Sequence, residues 1–293
     1  MTTRKGIVVV GDLHIDEASI DEVKNIVEEI CAVPAKSLIQ LGDLCHNNRL
    51  NARELEFLTW VAYRFKTTFE EVHFITGNHD LLDNSVSTIS YLKYMNINIH
   101  NTDEKNIANI LAGHFFTDKS KDAFGKYKYS LEEFRKNSFD YCFLGHQHDF
   151  QKLDDGIYHL GSARYVSFAE NEKEKKKIAW LHDGILDFVE LNNCLPIYNI
   201  YKYESLYGLN SNSKIRYIIS SFDQLRNEIE KLKSQKAIFK HFKIMLAFTK
   251  KTKTVEAVKE KTDIKNFVNN WLKSIEDKDI RNILEEEFTQ EIK

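Results

Sequence analysis

The sequence predicts an α/β fold, and three observations carry that expectation. Short apolar runs of strand length alternate with segments whose apolar residues recur at helical spacing. Five glycine-led polar motifs each follow such a run, where a chain must leave a strand sharply. An Asp183-Gly184 turn between two apolar runs adds antiparallel strands late in the pattern.

Ile7–Val10 reads as a buried strand, and residues 19–30 as a helix with Ile20, Val23, Val27 and Ile30 on one face. Ser19 and Glu22 have the spacing of a capping box at its start. Residues 38–41, 72–75, 107–112 and 141–144 read as strands, and 177–191 as the hairpin. The charge run 172–177 then reads as a hairpin tip. Residues 54–65 form a helix that is apolar nearly all round: either deeply buried, or divided between a core face and a dimer face. After Leu191 the pattern is strand 215–220, helix 222–233 and strand 242–248, enough for a small α/β cap. Residues 250–262 are a charged connector. Ile264, Phe267, Val268, Trp271, Leu272 and Ile275 follow as one helical stripe, and Ile280, Ile283, Leu284 and Phe288 as a second. These stripes either dock on a partner in the i, i+3, i+4, i+7 manner or fold on each other. The division is a domain over 1–194, a cap over 195–250 and a helical tail over 251–293.

With 42% hydrophobic and 29% charged residues in 293, the chain has material for a packed core. No apolar run approaches the roughly 20 residues that span a membrane. The start lacks the apolar region and cleavage site of a secretory signal, and Cys31, Cys45, Cys142 and Cys194 form no CxxC pair. Reduced thiols and a cytoplasmic location are expected. A net charge of −3 excludes a protein that coats nucleic acid over its whole surface, but not a local DNA site.

The motifs are Gly11-Asp12-Leu13-His14, Gly42-Asp43-Leu44-Cys45-His46, Gly77-Asn78-His79-Asp80, Gly113-His114 and Gly145-His146-Gln147-His148. Loops at one end of a sheet converge, so ligands distant in sequence can share a site. Two cations ~3.5–4 Å apart need a shared carboxylate to screen them, and can drive in-line displacement at phosphorus. Neutral imidazoles and an Asn carbonyl complete such a site without repelling phosphate. A further imidazole that is not a ligand can hand a proton to the leaving oxygen.

In their order, these motifs resemble the calcineurin-like metallophosphoesterases. That family's architecture is a four-layer α/β/β/α sandwich. Gly161-Ser162-Ala163-Arg164, then Ser167-Phe168-Ala169-Glu170 and the lysines to Lys177, are similar to a segment of the SbcD-type DNA-repair nucleases. The family segment usually reads GSP and ends in Lys-Gly, whereas here Ala163 replaces the proline and no glycine follows the lysines. The resemblance implies that Asp12, His14 and His148 bind a first metal, and that Asn78, His114 and His146 bind a second. Asp43 bridges both, His79 assists the leaving group, and His46 helps to position DNA. It further implies manganese, 3′→5′ exonuclease and single-strand endonuclease activity, a homodimer through helices near 54–65, and an SbcC-type coiled-coil ATPase partner.

Other readings stand beside these. The chain is alternatively a stand-alone phosphatase or cyclic-nucleotide phosphodiesterase, or a catalytically weak scaffold. His46 reads either as functional or as an exposed loop residue. Loop 119–129 interleaves lysines with Phe124, Tyr127 and Tyr129; it suits either a DNA strand or plain solvation. His73, His100, His159, His182 and His241 receive no role, and the cysteines read as small buried residues.

Overall fold

The computed structural model describes residues 5–246 apart from 84–85, 101–103, 124, 137–138, 210, 212, 222–223, 225–226, 229–230, 233, 236–237 and 240. The expected tail over 251–293 and part of the expected helix over 222–233 lie outside the described residues.

Strand β1 (Ile7–Val10) is a run of β-branched residues buried on both faces. It pairs in parallel with β2 (Ser37–Gln40), which is followed by β3 (Glu71–Ile75) and β4 (Asn98–His100), also parallel. Helix α1 (Ile20–Ala32) connects β1 to β2, and α2 (Ala52–Thr68) connects β2 to β3. A second sheet holds β5 (Glu104–Ile107), β6 (Ile110–Gly113), β7 (Tyr141–Leu144), β8 (Gln151–Asp154) and β9 (Ile157–His159) in the order β5-β6-β7-β9-β8. The short helix α3 (Leu131–Arg135) precedes β7. The chain then returns to the first sheet as the hairpin β10 (Lys177–His182) and β11 (Ile185–Glu190), giving the order β11-β10-β1-β2-β3-β4.

Side-chain alternation makes these layers a sandwich. Val8, Val10, Leu38 and Phe74 pack with Val23, Ile26, Leu58, Val61 and Phe65 of α1 and α2. Their neighbours Val9, Ile39 and Ile75 turn the other way, onto Ile110, Ala112 and Phe143 of the second sheet. Cys142 and Leu144 face outward to Leu131 and Phe134 of α3. Helix, sheet, sheet and helix therefore follow one another, as expected. Cys31, Cys45 and Cys142 are buried free thiols, and Cys194 is half-buried.

Several local expectations need correction. Residues 107–112 are not one strand: Ala108 and Asn109 take φ of 50° and 62°, and the chain reverses there between β5 and β6. Ser19 does not cap α1 through its side chain. It closes a capping box with Asp16 on the preceding 3-10 turn, and Glu22 instead accepts from Leu195 N at 2.8 Å and Lys214 Nζ at 2.9 Å. The Glu172–Lys177 run is not a hairpin tip, because the hairpin turns at Asp183 and Gly184, with φ of 49° and 80°. In α2, Phe57 is 8% exposed and Trp60 packs on the same core, whereas Leu55 is 43% exposed.

Further along, β12 (Ile197–Ile200), β13 (Lys214–Ile219) and β14 (His241–Leu246) form a three-stranded sheet. The chain makes two compact units: Met1–Tyr198 with Leu209–Arg216 and Phe239–Lys243, and Asn199–Gly208 with Tyr217–Ile238 and Ile244–Lys293. Within the second, Leu206, Tyr217, Ile219 and Leu232 are buried, and the Tyr217 hydroxyl donates to Glu228 Oε2 at 2.6 Å. Among the described residues no helix is long and apolar enough to cross a membrane.

Candidate metal centre

Five strand ends build one site. Asp12 and His14 follow β1, Asp43 and His46 follow β2, and Asn78 and His79 follow β3. His114 follows β6 of the second sheet, and His146 and His148 follow β7. These strands are parallel within their sheets, so their carboxyl ends share one edge of the sandwich. The turns are sharp enough that His14, Asp43 and His146 take left-handed φ of 46°, 49° and 72°. Such conformations are costly for residues with a Cβ and persist where the surroundings impose them. Gly42 has φ of 100°, and a Cβ there would lie 2.6 Å from His114 Nδ1, so the second motif needs glycine.

The donors fall into three overlapping groups: Asp12, His14 and His148; His14, Asp43 and His79; and Asp43, His114 and His146. Asp43 joins the last two, with Oδ2 3.7 Å from His14 Nε2 and 3.1 Å from His114 Nε2. His14 Nε2 and His148 Nε2 are 3.1 Å apart, each 3.9 Å from Asp12 Oδ2. Asn78 Oδ1 lies 3.0 Å from His114 Nε2. The structure thus brings all seven sequence-chosen ligands together.

The chemistry of this donor set fits cations. His114 Nδ1 is 2.8 Å from the Leu41 carbonyl, which fixes the proton there and leaves Nε2 a bare acceptor. That acceptor faces two oxygens, from Asn78 and Asp43, which also only accept at this point. Acceptors converging in a buried space require a proton or a cation between them. The electrostatics agree. Burial pushes the Asp12 carboxyl up to about 7, against the pull of His114. Burial alone would also raise Asp43, but His114 and His14 outweigh it and hold that carboxyl well below its usual range. Burial works against a charged His114, yet Asp43 and Asp12 lift it to about 9. Without other positive charge, this imidazole must serve as counter-ion to both carboxylates. His14 and His146, by contrast, are driven down to about 2 and about 4, first by burial. They remain neutral donors in the working pH range.

His79 lies at the edge of the nest. Its main-chain N–H donates to Asp43 Oδ1 at 2.8 Å, and its Nδ1 is 2.6 Å from the His46 carbonyl oxygen. That bond leaves Nε2 as the ring atom available for proton exchange. Its ring stands at right angles to His14, with centroids 4.9 Å apart. Distance alone also groups His79 with His14 and Asp43, so its separation from the expected ligands rests on chemistry. His46 is half-buried, its ring 5.9 Å from that of His79.

Sequence reasoning missed several supporting residues. Asp80 accepts from the main-chain N–H groups of Leu44, Cys45 and Gly77 at 3.3, 2.9 and 3.0 Å, binding the second motif to the third. Its place at the end of the GNHD motif was the available signal. Gln147, fully buried between His146 and His148, accepts from Lys121 N at 2.9 Å and so ties loop 119–129 to two ligands. His159 braces the same loop, with Nε2 2.6 Å from Ser120 Oγ and Nδ1 3.1 Å from the Gly145 carbonyl. In that loop Lys121, Lys126 and Tyr127 are exposed, while Phe124 lies outside the described residues. Arg164 donates from Nε to the Leu13 carbonyl at 2.9 Å and from a terminal nitrogen to the His14 carbonyl at 2.5 Å. Glu170 and Lys176 form a buried ion pair beside His148.

A mixed α/β/β/α sandwich with a paired Asp/His centre at its strand ends defines a metallophosphoesterase. Residues 6–150 match the family described as calcineurin-like phosphoesterase. Among solved structures, a single-substitution mutant of Vps29 from Entamoeba histolytica is 18% identical, covering 64% of this chain and 99% of its own, at a TM-score of 0.36. Vacuolar Protein Sorting 29 from Cryptosporidium parvum is 14% identical over 64% of this chain and 96% of its own, at 0.36. The nuclease MPE of Pseudomonas putida is 14% identical over 62% of this chain and 87% of its own, at 0.32. At these TM-scores none of the three bears on function. No curated protein matches the chain.

Proposed function

We propose that the chain is a metal-dependent DNA nuclease, cleaving phosphodiesters as an exonuclease and single-strand endonuclease in a complex with an SbcC-type coiled-coil ATPase. One observation carries the chemistry. Asp43 belongs to two donor groups, and the half-exposed His79 is anchored beside it by its own N–H. Two ions held there would supply Lewis-acid stabilisation and activate a water; the resemblance implies manganese, while ligand softness alone allows manganese, iron or zinc. The chain's own residues do the rest. Asp43 spaces the two half-sites, and Asn78, His114 and His146 hold the second without adding charge. His79, free at Nε2, delivers a proton to the leaving oxygen. His46, next to it, orients the strand.

DNA as substrate is supported by the segment from Gly161 to Lys177, which packs on the motif loops, and by the exposed lysines and Tyr127 of a loop tied to the ligand motif. The cap over 195–250 and the tail over 251–293 are then assigned to DNA path and partner docking. The exposed Leu55, Tyr63, Val86 and Tyr94 are assigned to a homodimer face.

The test is a manganese-dependent assay on duplex DNA, single-stranded DNA and bis-nitrophenyl phosphate together. Cleavage of DNA is expected. Turnover of the small ester with no DNA cleavage, even with the ATPase present, would refute the nuclease reading and leave the phosphoesterase standing.

A further inference from the structure

The segment from Gly161 to Lys176 touches the centre on one side only. Ala163 N donates to the Asp12 carbonyl at 2.8 Å, and Arg164 holds the carbonyls of Leu13 and His14. Ser162 N donates to the His148 carbonyl at 3.0 Å, and Lys176 Nζ donates to the same oxygen at 2.8 Å. Asp12, His14 and His148 are one of the three donor groups. The opposite group leans elsewhere: His114 is set by the carbonyl of Leu41, just beyond β2.

Within this segment Glu170 alone reaches a ligand ring. Its Oε1 lies 3.5 Å from His148 Nδ1, and the opposite ring nitrogen, Nε2, faces His14. Glu170 is itself fixed tightly. Oε1 accepts from Val166 N at 2.7 Å and Ser167 N at 2.5 Å, and Oε2 accepts from Lys176 Nζ at 2.5 Å. Glu170 and Lys176 are 5% and 6% exposed. Lys176 thus grips the main chain of His148 and the carboxylate that meets its ring. Burying an ion pair is costly, so its retention here calls for a use. A carboxylate on the outer nitrogen of a ligand imidazole fixes the tautomer and raises ligand basicity.

Resting on the two-metal reading above, we infer that Glu170, held by Lys176, is the positioning residue of the first half-site. It sets the metal affinity of the Asp12, His14 and His148 group independently of the second group.

The test uses the full chain, stripped with chelator and titrated with Mn2+, read by calorimetry and by electron paramagnetic resonance. Wild type is expected to bind two ions with a spin-coupled signal. In Glu170→Gln the first site weakens by roughly 10–100-fold, the usual loss for such partners, while the second is unchanged and the signal becomes mononuclear. Glu170→Gln alone strands the Lys176 charge and threatens the fold. The double variant Glu170→Gln, Lys176→Met removes the pair together and carries the same expectation, with circular dichroism as the check on folding. Lys175→Met, at an exposed neighbour paired with Glu190, is the control and keeps both sites. Unchanged affinity at both sites in the folded double variant overturns the inference. So does equal weakening at both, which marks a structural role. Fewer than two ions in wild type overturns the two-metal reading itself.

Discussion

The main-chain N–H of His79 donates to Oδ1 of Asp43 at 2.8 Å, so the carboxylate shared by two donor groups is joined to the backbone of the histidine that flanks it. The link runs through a peptide N–H, which survives any non-proline substitution at 79. Side-chain loss at His79 and charge loss at Asp43 should therefore have separable effects.

His79→Ala should lower kcat by roughly 10²–10⁴-fold, the usual worth of general-acid assistance, with both metal ions still bound. Turnover and metal content measured on the same sample check this. Full activity, or loss of a metal ion, would show that His79 is not a proton donor outside the ligand set.

Asp43→Asn should behave differently. Removing the charge leaves two cations unscreened, so metal stoichiometry should fall as well as activity. Atomic absorption after dialysis gives the result, and two retained ions would contradict it.

The clustering of these donors was legible in the sequence because each stands one to three residues beyond a glycine that ends an apolar run, and the resemblance then implied which of them are ligands. Spacing and residue type survive folding unchanged. The supporting residues were not legible in that way. Arg164 and Glu170 stand out in the sequence only through the family-like segment that holds them, and Lys176 falls in a run that reads as a hairpin tip; only tertiary contact buries all three. The hairpin between β5 and β6 was missed because Ala108 and Asn109 lack the glycine that usually marks such a turn. Glu22 has capping-box spacing from Ser19 but is drawn to Lys214, a partner 192 residues away that no local pattern can reveal.

His159 gives a pH signature. Burial holds this imidazole down to about 3 in the folded chain, against an ordinary 6.5. The unfolded chain therefore takes up a proton that the folded chain refuses. The stability from neutral His159 is complete above about 6.5 and is lost as pH falls towards about 3, at no more than about 1.4 kcal/mol per pH unit. His159→Gln should flatten that part of the pH–stability curve in urea titrations. An unchanged slope would show that His159 is not the group responsible.

The proposed dimer narrows to particular side chains. Phe57 is buried in the core with α1, and the partly buried Trp60 packs against the same cluster. Tyr94, 81% exposed, is the most open of the assigned face, with Leu55, Tyr63 and Val86 beside it in the assignment. Tyr94→Glu with Leu55→Glu should convert a dimer to monomer in sedimentation without lowering thermal stability. A wild-type chain that sediments only as monomer at micromolar concentration would dispose of the dimer.

The central claim is that two metal ions, spaced by Asp43, act together on a phosphodiester. The most direct measurement titrates Mn2+ into stripped protein while following bound metal and DNA cleavage at once. Cleavage should stay near background through the first equivalent and rise as the second ion binds. Full cleavage with one ion bound, or with none, would contradict the account.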